Sequence, residues 1–269
     1  MGIKIAWQQD FVAAFSDLGL ELELIESAEL SLFAFKGHEL LVHLVGFNNP
    51  PPAEAMIALQ ESYDREGRYC VQLWEDIWMQ RRNQVIGRLT SILGKNQRIH
   101  ARKTKVRSIS QTEADLFLND HHLQGSVKAR YKYALEENGK LVAVATFSNL
   151  RLMREIGDAH RSAELIRFAA LSGFTVVGGF TKILQHFIAL QHPDDIMSYA
   201  DRDWSLGHAY VHSGFRFVGV TPPLEIWLDL HTLQRHFPHR LSPEEREGGN
   251  YLRIHNTGNL KYLLYLPHV

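Results

Sequence analysis

The sequence predicts an α/β (α+β) protein: a mixed central sheet with flanking helices, preceded by a smaller α/β module. Three observations carry this. Apolar residues at helical spacing alternate with short strand-like runs along the whole chain. Glycine, Asn-Gly and proline clusters separate those runs where turns are needed. With 269 residues, 45% hydrophobic and 22% charged, the chain has a globular composition and the length for two domains.

The first part covers residues 1–94. Phe11, Val12, Phe15 and Leu18 recur at helical spacing, so 6–18 predicts a helix. Strands at 30–35 and 39–47 flank Lys36-Gly37-His38, a turn in which glycine supplies positive φ. Asn48 to Pro52 is a loop, because consecutive prolines lack donors and restrict the residues before them. A helix at 53–65, a strand at 69–73 and a basic helix at 78–93 follow, the last stopped by Gly94. Residues 95–102 predict a basic linker.

The second part, 103–269, opens with an alternating strand at 103–109. Ser110, with Glu113 three residues on, forms a capping box for a helix at 111–122. Strand-like runs at 131–136 and 140–148 flank Glu137-Asn138-Gly139, and Asn-Gly in that setting signals a hairpin. Next come a strand at 163–170, the turn Val177-Gly178-Gly179, a helix at 181–190 and a buried strand at 196–200. A helix at 204–213 ends at Gly214, placed as a C′ glycine. Strands at 215–220 and 224–230 complete the run. Residues 235–250 read as a polar loop, and 251–266 as a terminal hairpin turning at 256–259.

Composition excludes several classes. The single cysteine, Cys70, excludes an internal disulfide framework and a thiolate zinc site, and inside an apolar strand it reads as inert. The N-terminus lacks a basic start with an apolar run, and no apolar run is long enough for a bilayer. The expectation is a cytoplasmic protein with no membrane partner. The fifteen histidines do not cluster: His121 and His122 are adjacent and diverge on a helix, and His231 with His236 lacks metalloprotease spacing, so no metal is expected.

Net charge is −1, but its distribution is uneven: residues 77–112 hold no Asp or Glu. That stretch carries Arg81, Arg82, Arg88, Lys95, Arg98, Arg102, Lys103, Lys105 and Arg107. Such a block either attracts DNA or RNA by releasing counterions, or forms a solvated face whose acids come from elsewhere in the fold.

The element order from 103 to about 230, together with Ser-Tyr-Ala-Asp at 198–201 and Gly-His-Ala-Tyr-Val-His-Ser-Gly-Phe at 207–215, resembles the GNAT N-acyltransferase fold. The resemblance implies that Tyr210 matches the tyrosine that protonates the departing coenzyme A thiolate; alternatively its ring packs and Gly214 caps. It also implies that Val177, Gly178, Gly179, Phe180, Thr181 and Lys182 hold the cofactor pyrophosphate at a helix N-terminus. Aligned on Gly179, the chain departs from the family pattern at Val176 and at Thr181.

A narrower resemblance spans most of the chain. Tyr-Cys-Val-Gln-Leu-Trp-Glu-Asp-Ile-Trp at 69–78, Ile-His-Ala-Arg-Lys-Thr-Lys-Val at 99–106 and Glu-Leu-Ile-Arg-Phe at 164–168 are similar to phage and mobile-element proteins. Those join a GNAT-like domain to a restriction-endonuclease-like module related to very-short-patch-repair and homing endonucleases. The matching hairpin, 29–32 with 42–46, carries Ser31 and His43 where that family carries Asp and Glu. A hydroxyl and an imidazole suit magnesium poorly, so the module is expected to be degenerate, with Glu75 and Asp76 as the nearest substitute ligands.

Arg167 is a charged residue in an apolar strand and is expected to face a partner or a cleft; Asp201 and Arg202, just beyond the adjoining strand, are candidates for that partner or for the same cleft. Trp204 covers the cleft or packs. The favoured reading is an N-acyltransferase that uses acetyl-CoA or another acyl-CoA on an amine acceptor. Tyr210 is its general acid, Tyr199 or Asp201 helps remove the amine proton, and a nucleobase amine is one candidate acceptor. The alternatives are a non-catalytic nucleic-acid-binding accessory using Arg81, Arg82, Arg88, Lys95, Arg98, Arg102 and Lys103, and a divergent metal-dependent endonuclease.

Overall fold

The structure, a computed structural model, describes residues 6–25 and 31–266. Residues 1–5, at the start of the segment read for a leader, and Glu29 and Leu30 of the first expected hairpin lie outside them. In chain order the first elements are α1 (Ala6–Ser16), β1 (Leu22–Ile25), β2 (Leu32–Phe35), β3 (Leu40–Val45), α2 (Ala53–Arg65), β4 (Tyr69–Trp74) and α3 (Glu75–Ile92). Next are β5 (Gln97–His100), a 3-10 turn (Ala101–Lys103), β6 (Lys105–Ser108), α4 (Gln111–His121), β7 (Tyr131–Glu137), β8 (Lys140–Phe147) and β9 (Arg151–Leu152). Then come β10 (Arg161–Ala170), β11 (Phe174–Val177), α5 (Gly179–Gln191), β12 (Asp195–Asp201), α6 (His208–His212) and β13 (Arg216–Val220). The last are β14 (Glu225–Asp229), β15 (Arg235–His236), a 3-10 turn (Pro238–Arg240), α7 (Pro243–Glu247), β16 (Tyr251–His255) and β17 (Asn259–Tyr265).

These elements form two compact units, each drawn from separated stretches of chain. The first comprises Met1–Arg82, Asp201–Leu206 and Val220–Asn259; the second comprises Asn83–Ala200, Gly207–Gly219 and Leu260–Val269. The segment expected as a linker carries β5, which pairs in parallel with β11. Helix α3 passes from one unit into the other, and Arg81, near that point, is non-helical (φ −131°, ψ 29°).

In the first unit the sheet order is β1-β2-β3-β4, with β3 and β4 parallel, and β15-β14-β16 form a second sheet. β3 and β4 are buried on both faces, as their mostly apolar runs require. Val45, Met56 and Trp74 pack with Ile226, Leu228 and Ile254, while Phe11 packs edge-on against Trp78.

In the second unit one sheet runs β13-β17-β12-β10-β8-β7-β6, with β9 added alongside β10. The pairs β6–β7, β7–β8 and β8–β10 are antiparallel, and β10–β12 is parallel. Helix α4, with the expected capping box at Ser110 and Glu113, covers one face through Ala114, Phe117 and Leu118. Helix α5 covers the other through Ile183, Leu184 and Phe187, the last stacked on Phe147 at 4.0 Å. This is a mixed α/β architecture with a central mixed sheet and flanking helices.

The C-terminal expectation needs correcting. Residues 251–266 do not form a hairpin: β16 pairs with β14, whereas β17 joins the large sheet between β12 and β13. Alternating apolar residues mark both strands, but alternation says nothing about partners. The helix expected at 204–213 is only the five residues of α6, and 235–250 holds short β15 and α7. Among the described residues no helix is long and apolar enough to cross a membrane.

Candidate functional site

The large sheet opens between β10 and β12. Their parallel register runs only from Ser162–Asp195 to Leu165–Ser198, although β10 continues to Ala170 and β12 to Asp201. On its other side β10 shifts register against β8 between Leu165 and Arg167, leaving Ile166 as a bulge. An extra residue bends and twists its strand, which carries β10 away from β12 just past the last shared rung. Ser198, 1% exposed, closes that rung by donating Oγ–H to the Leu165 carbonyl at 2.9 Å.

Tyr210 meets this opening. Its Oη lies 3.2 Å from Ser198 Oγ. The Tyr210 ring stacks on Tyr262 (5.0 Å, 9°) and meets Phe180 and Phe215 edge-on. Burial pushes the phenol up from the ordinary tyrosine range, against Ser198 and the positive field of Arg88 and Arg167.

The flanking glycines have backbone reasons. Gly207 caps α6 at φ 73°, and a Cβ there would fall 1.8 Å from Tyr262 Oη. Gly214 ends the turn at φ 89°, and Phe215 N–H closes on the Tyr210 carbonyl. These two positions aim and pack the tyrosine, so the expected ring-packing role is met alongside its hydroxyl contact.

Strand β11 leads through Gly178 (φ 74°) into α5. The first helical bond is Lys182 N–H to Gly178 O, so the N–H groups of Gly179, Phe180 and Thr181 precede it, where a helix has no internal acceptors. Val177, Gly178 and Thr181 are exposed. Gly179 is buried, and a Cβ on it would come within 3.0 Å of Val176 and Leu135, so packing demands that glycine. Thr181 Oγ1 lies 3.0 Å from Ser213 Oγ, joining the start of α5 to the end of α6. The Lys182 ammonium is engaged by the carbonyls of Ala101 and Thr104, which places its charge beneath the turn.

The other expected residues are placed as follows. Arg167 is half-buried beside the bulge, with Nε donating to Gly125 O and Nη1 to Ile166 O. Tyr199 is 38% exposed on the sheet face opposite Ser198. Asp201, Arg202 and Trp204 belong to the first unit: Asp201 accepts from Asp203 N–H, Arg202 pairs with Glu61 at 2.9 Å, and Trp204 is buried.

Among the basic residues, Arg82 is spent on Asp10 and lies over the Trp78 ring, and Arg81 is half-buried. Lys95 before β5, Arg98 within it, and Arg102 and Lys103 in the turn after it are exposed. In the first unit the buried His43 Nδ1 is 2.6 Å from Gln72 Oε1, and Ser31 Oγ accepts from Gln8. Asp76 is clasped by both arms of Arg235 at 2.6 and 3.0 Å. Cys70 is buried and its thiol pushed up to about 12, chiefly by burial. Among the described residues no three or more His, Cys, Asp or Glu side chains gather as a metal site.

Sequence reasoning quoted Ser198 within the 198–201 stretch but gave it no role. Only its place beside apolar residues of β12 could have flagged it.

No protein-family model and no curated protein matches the chain. Among solved structures it is similar to a GNAT family acetyltransferase from Elizabethkingia anophelis with acetyl-CoA bound (10% identity, TM-score 0.39, 61% of this chain and 99% of that one). It is similar also to an acetyltransferase from Bacillus subtilis in complex with CoA (13%, 0.38, 61% and 100%). A third is the ribosomal-protein-S18-alanine N-acetyltransferase from Escherichia coli (11%, 0.38, 62% and 96%). At these identities and TM-scores the likenesses establish neither ligand nor reaction for this chain.

Proposed function

We propose that the second unit transfers an acyl group from a coenzyme A-linked donor to an amine. One observation carries the reading: the Tyr210 phenol rests on Ser198 at the last rung of a splayed parallel pair, beside the exposed start of α5. The α5 turn fits an anionic pyrophosphate, since its leading N–H groups and the helix dipole both favour negative charge.

Bound coenzyme A would supply a thioester whose carbonyl carbon is attacked and whose sulfur leaves. The chain's own part is acid chemistry and positioning. Tyr210 gives its proton to the sulfur as the carbon–sulfur bond breaks, while the amine nitrogen forms the amide bond and releases its proton to water. Burial that raises the phenol keeps it protonated through neutral pH, as an acid must be. Tyr199, on the opposite face, borders the amine's approach. Asp201 lies in the other unit and has no assigned part here.

Calorimetric and thermal titration of the full chain with acetyl-CoA tests this. The reading expects saturable binding and a rising melting temperature, equivalent to about 2.7 kcal/mol at a hundredfold excess over Kd. A melting temperature that stays flat at high excess would refute it.

The exposed strip of Lys95, Arg98, Arg102 and Lys103 supports a second reading, binding of nucleic acid. It expects salt-sensitive DNA binding that weakens when Arg98 and Arg102 become Gln. Binding unchanged by those substitutions would remove it.

A further inference from the structure

Ser198 shares a face of β12 with Ile196 and Ala200, which pack with Ile183, Leu184 and Phe187 of α5, so its side chain points to the α5 side of the sheet. It is 1% exposed, whereas Tyr210 is half-buried. A ligand therefore meets the phenol, and Ser198 acts through it.

The serine has one proton and two oxygens within reach: the Leu165 carbonyl at 2.9 Å and Tyr210 Oη at 3.2 Å. A hydroxyl carries a single donor, so it serves one of them at a time. While the phenol is protonated both oxygens are neutral, and the shorter contact favours the carbonyl. Once the phenol has lost its proton it is a charged acceptor, and a bond to it is roughly twice as strong as one to a neutral oxygen. The serine proton then belongs to Tyr210. Moving it takes only a turn about the Cβ–Oγ bond, with no heavy atom displaced.

The surroundings concentrate this effect in one bond. Among the described residues Ser198 is the phenol's hydrogen-bond partner. Phe180 and Phe215 meet the ring edge-on, and Tyr262 of β17 stacks on it, its own phenol raised by burial and then by Tyr210. On α5 the Lys182 ammonium is engaged by the Ala101 and Thr104 carbonyls, and on α6 His212 Nδ1 lies 2.7 Å from the His208 carbonyl. Burial raises the Tyr210 phenol most; the Ser198 bond lowers it, followed by the fields of Arg88 on α3 and Arg167 on β10.

We propose that Ser198 is a positioning residue for the transfer: its hydroxyl swings from Leu165 to Tyr210 as the phenol gives up its proton, and holds the phenolate until a proton returns. The transfer step rests on the transferase reading; the serine–phenol switch itself does not. In that step the carbon–sulfur bond breaks and the sulfur leaves as a thiol with the phenol's proton. The amine nitrogen forms the amide bond and loses its proton to water. Water then returns a proton to the phenolate, and Ser198 turns back to Leu165.

The full chain is prepared with a difluorotyrosine at position 210, fluorinated on both carbons flanking the hydroxyl so that it ionises at lower pH than tyrosine. Its fluorine resonances are followed against pH, which reads residue 210 apart from Tyr262 and needs no turnover. Ser198→Ala should raise the ionisation midpoint by about one pH unit, as loss of a bond to a charged group implies. Ser198→Thr and Ser198→Val, alike in shape, are the second test if the first variant misfolds: the Thr variant should keep the parent midpoint and the Val variant should show the raised one. With tyrosine restored at position 210, kcat for acetyl transfer should fall about tenfold in Ser198→Val, with the donor's KM unchanged, and recover in Ser198→Thr.

An unmoved midpoint in folded Ser198→Ala overturns the proposal, as do equal midpoints in the Thr and Val variants or a wild-type kcat in folded Ser198→Val. A midpoint that follows the hydroxyl in a chain without coenzyme A affinity would uphold the switch and remove the transferase reading. Coenzyme A binding and transfer with an unmoved midpoint would do the reverse.

Discussion

Paired polar side chains sit in different settings in the two units. In the first, Asp76 is held by Arg235, and Asp203 accepts from both Thr257 N–H (2.9 Å) and Thr257 Oγ–H (2.6 Å). Gln72, entirely buried, is divided between His43 and the Met56 carbonyl. In the second unit Tyr210 and Ser198 meet where two strands part. Polar groups that consume one another hold a fold together; those placed at an opening are available to a ligand.

The largest stability effect should come from breaking the Asp76–Arg235 clasp. Asp76 is 2% exposed, so Arg235→Gln would strand a buried carboxylate and cost about 3 kcal/mol, read as a lowered urea midpoint. A loss below half of that would mean the pair is not the anchor the contrast requires. Gly207→Ala should cost somewhat less, about 2 kcal/mol from positive φ and overpacking, because the new methyl group displaces Tyr262. It should also impair transfer, since Tyr262 stacks on Tyr210. Full activity in a folded Gly207→Ala protein would separate the motif from the chemistry.

A smaller effect is confined to pH. Burial, with Asp201 adding to it, pushes the Asp203 carboxyl from 3.8 up to about 7. The folded state thus holds this proton more tightly than the unfolded chain. Its contribution to stability is present below pH 3.8 and is lost as pH rises through about 7. Urea midpoints taken from pH 5 to pH 8 should fall for the wild type and fall less for Asp203→Asn. Parallel slopes would show that Asp203 does not titrate there. The smallest effect is Arg82→Gln, below about 1 kcal/mol, because its pair with Asp10 is largely solvent-exposed.

Much of this architecture was legible because local chemistry dictated it. The Ser110–Glu113 capping box and the Asn138-Gly139 turn, with φ of 51° and 79°, are where their residue types require them. What could not be read was partnership. Residues 224–230 and 251–266 announced strands, yet β14 and β16 pair with each other while β17 enters the large sheet. Of the candidate site, Tyr210 and the α5 turn could be named from the spacing of their glycines. The contact of Ser198 with Tyr210 was hidden because a lone hydroxyl in a strand has no spacing signature. The bulge at Ile166 that opens the sheet was hidden too, since it depends on two neighbouring strands at once.

Steady-state transfer by Tyr210→Phe, followed with a thiol reagent, tests the central assignment most directly. The phenol's role as acid predicts a fall in kcat of about 10²–10⁴-fold with the donor's KM little changed. A folded variant with wild-type kcat would contradict it.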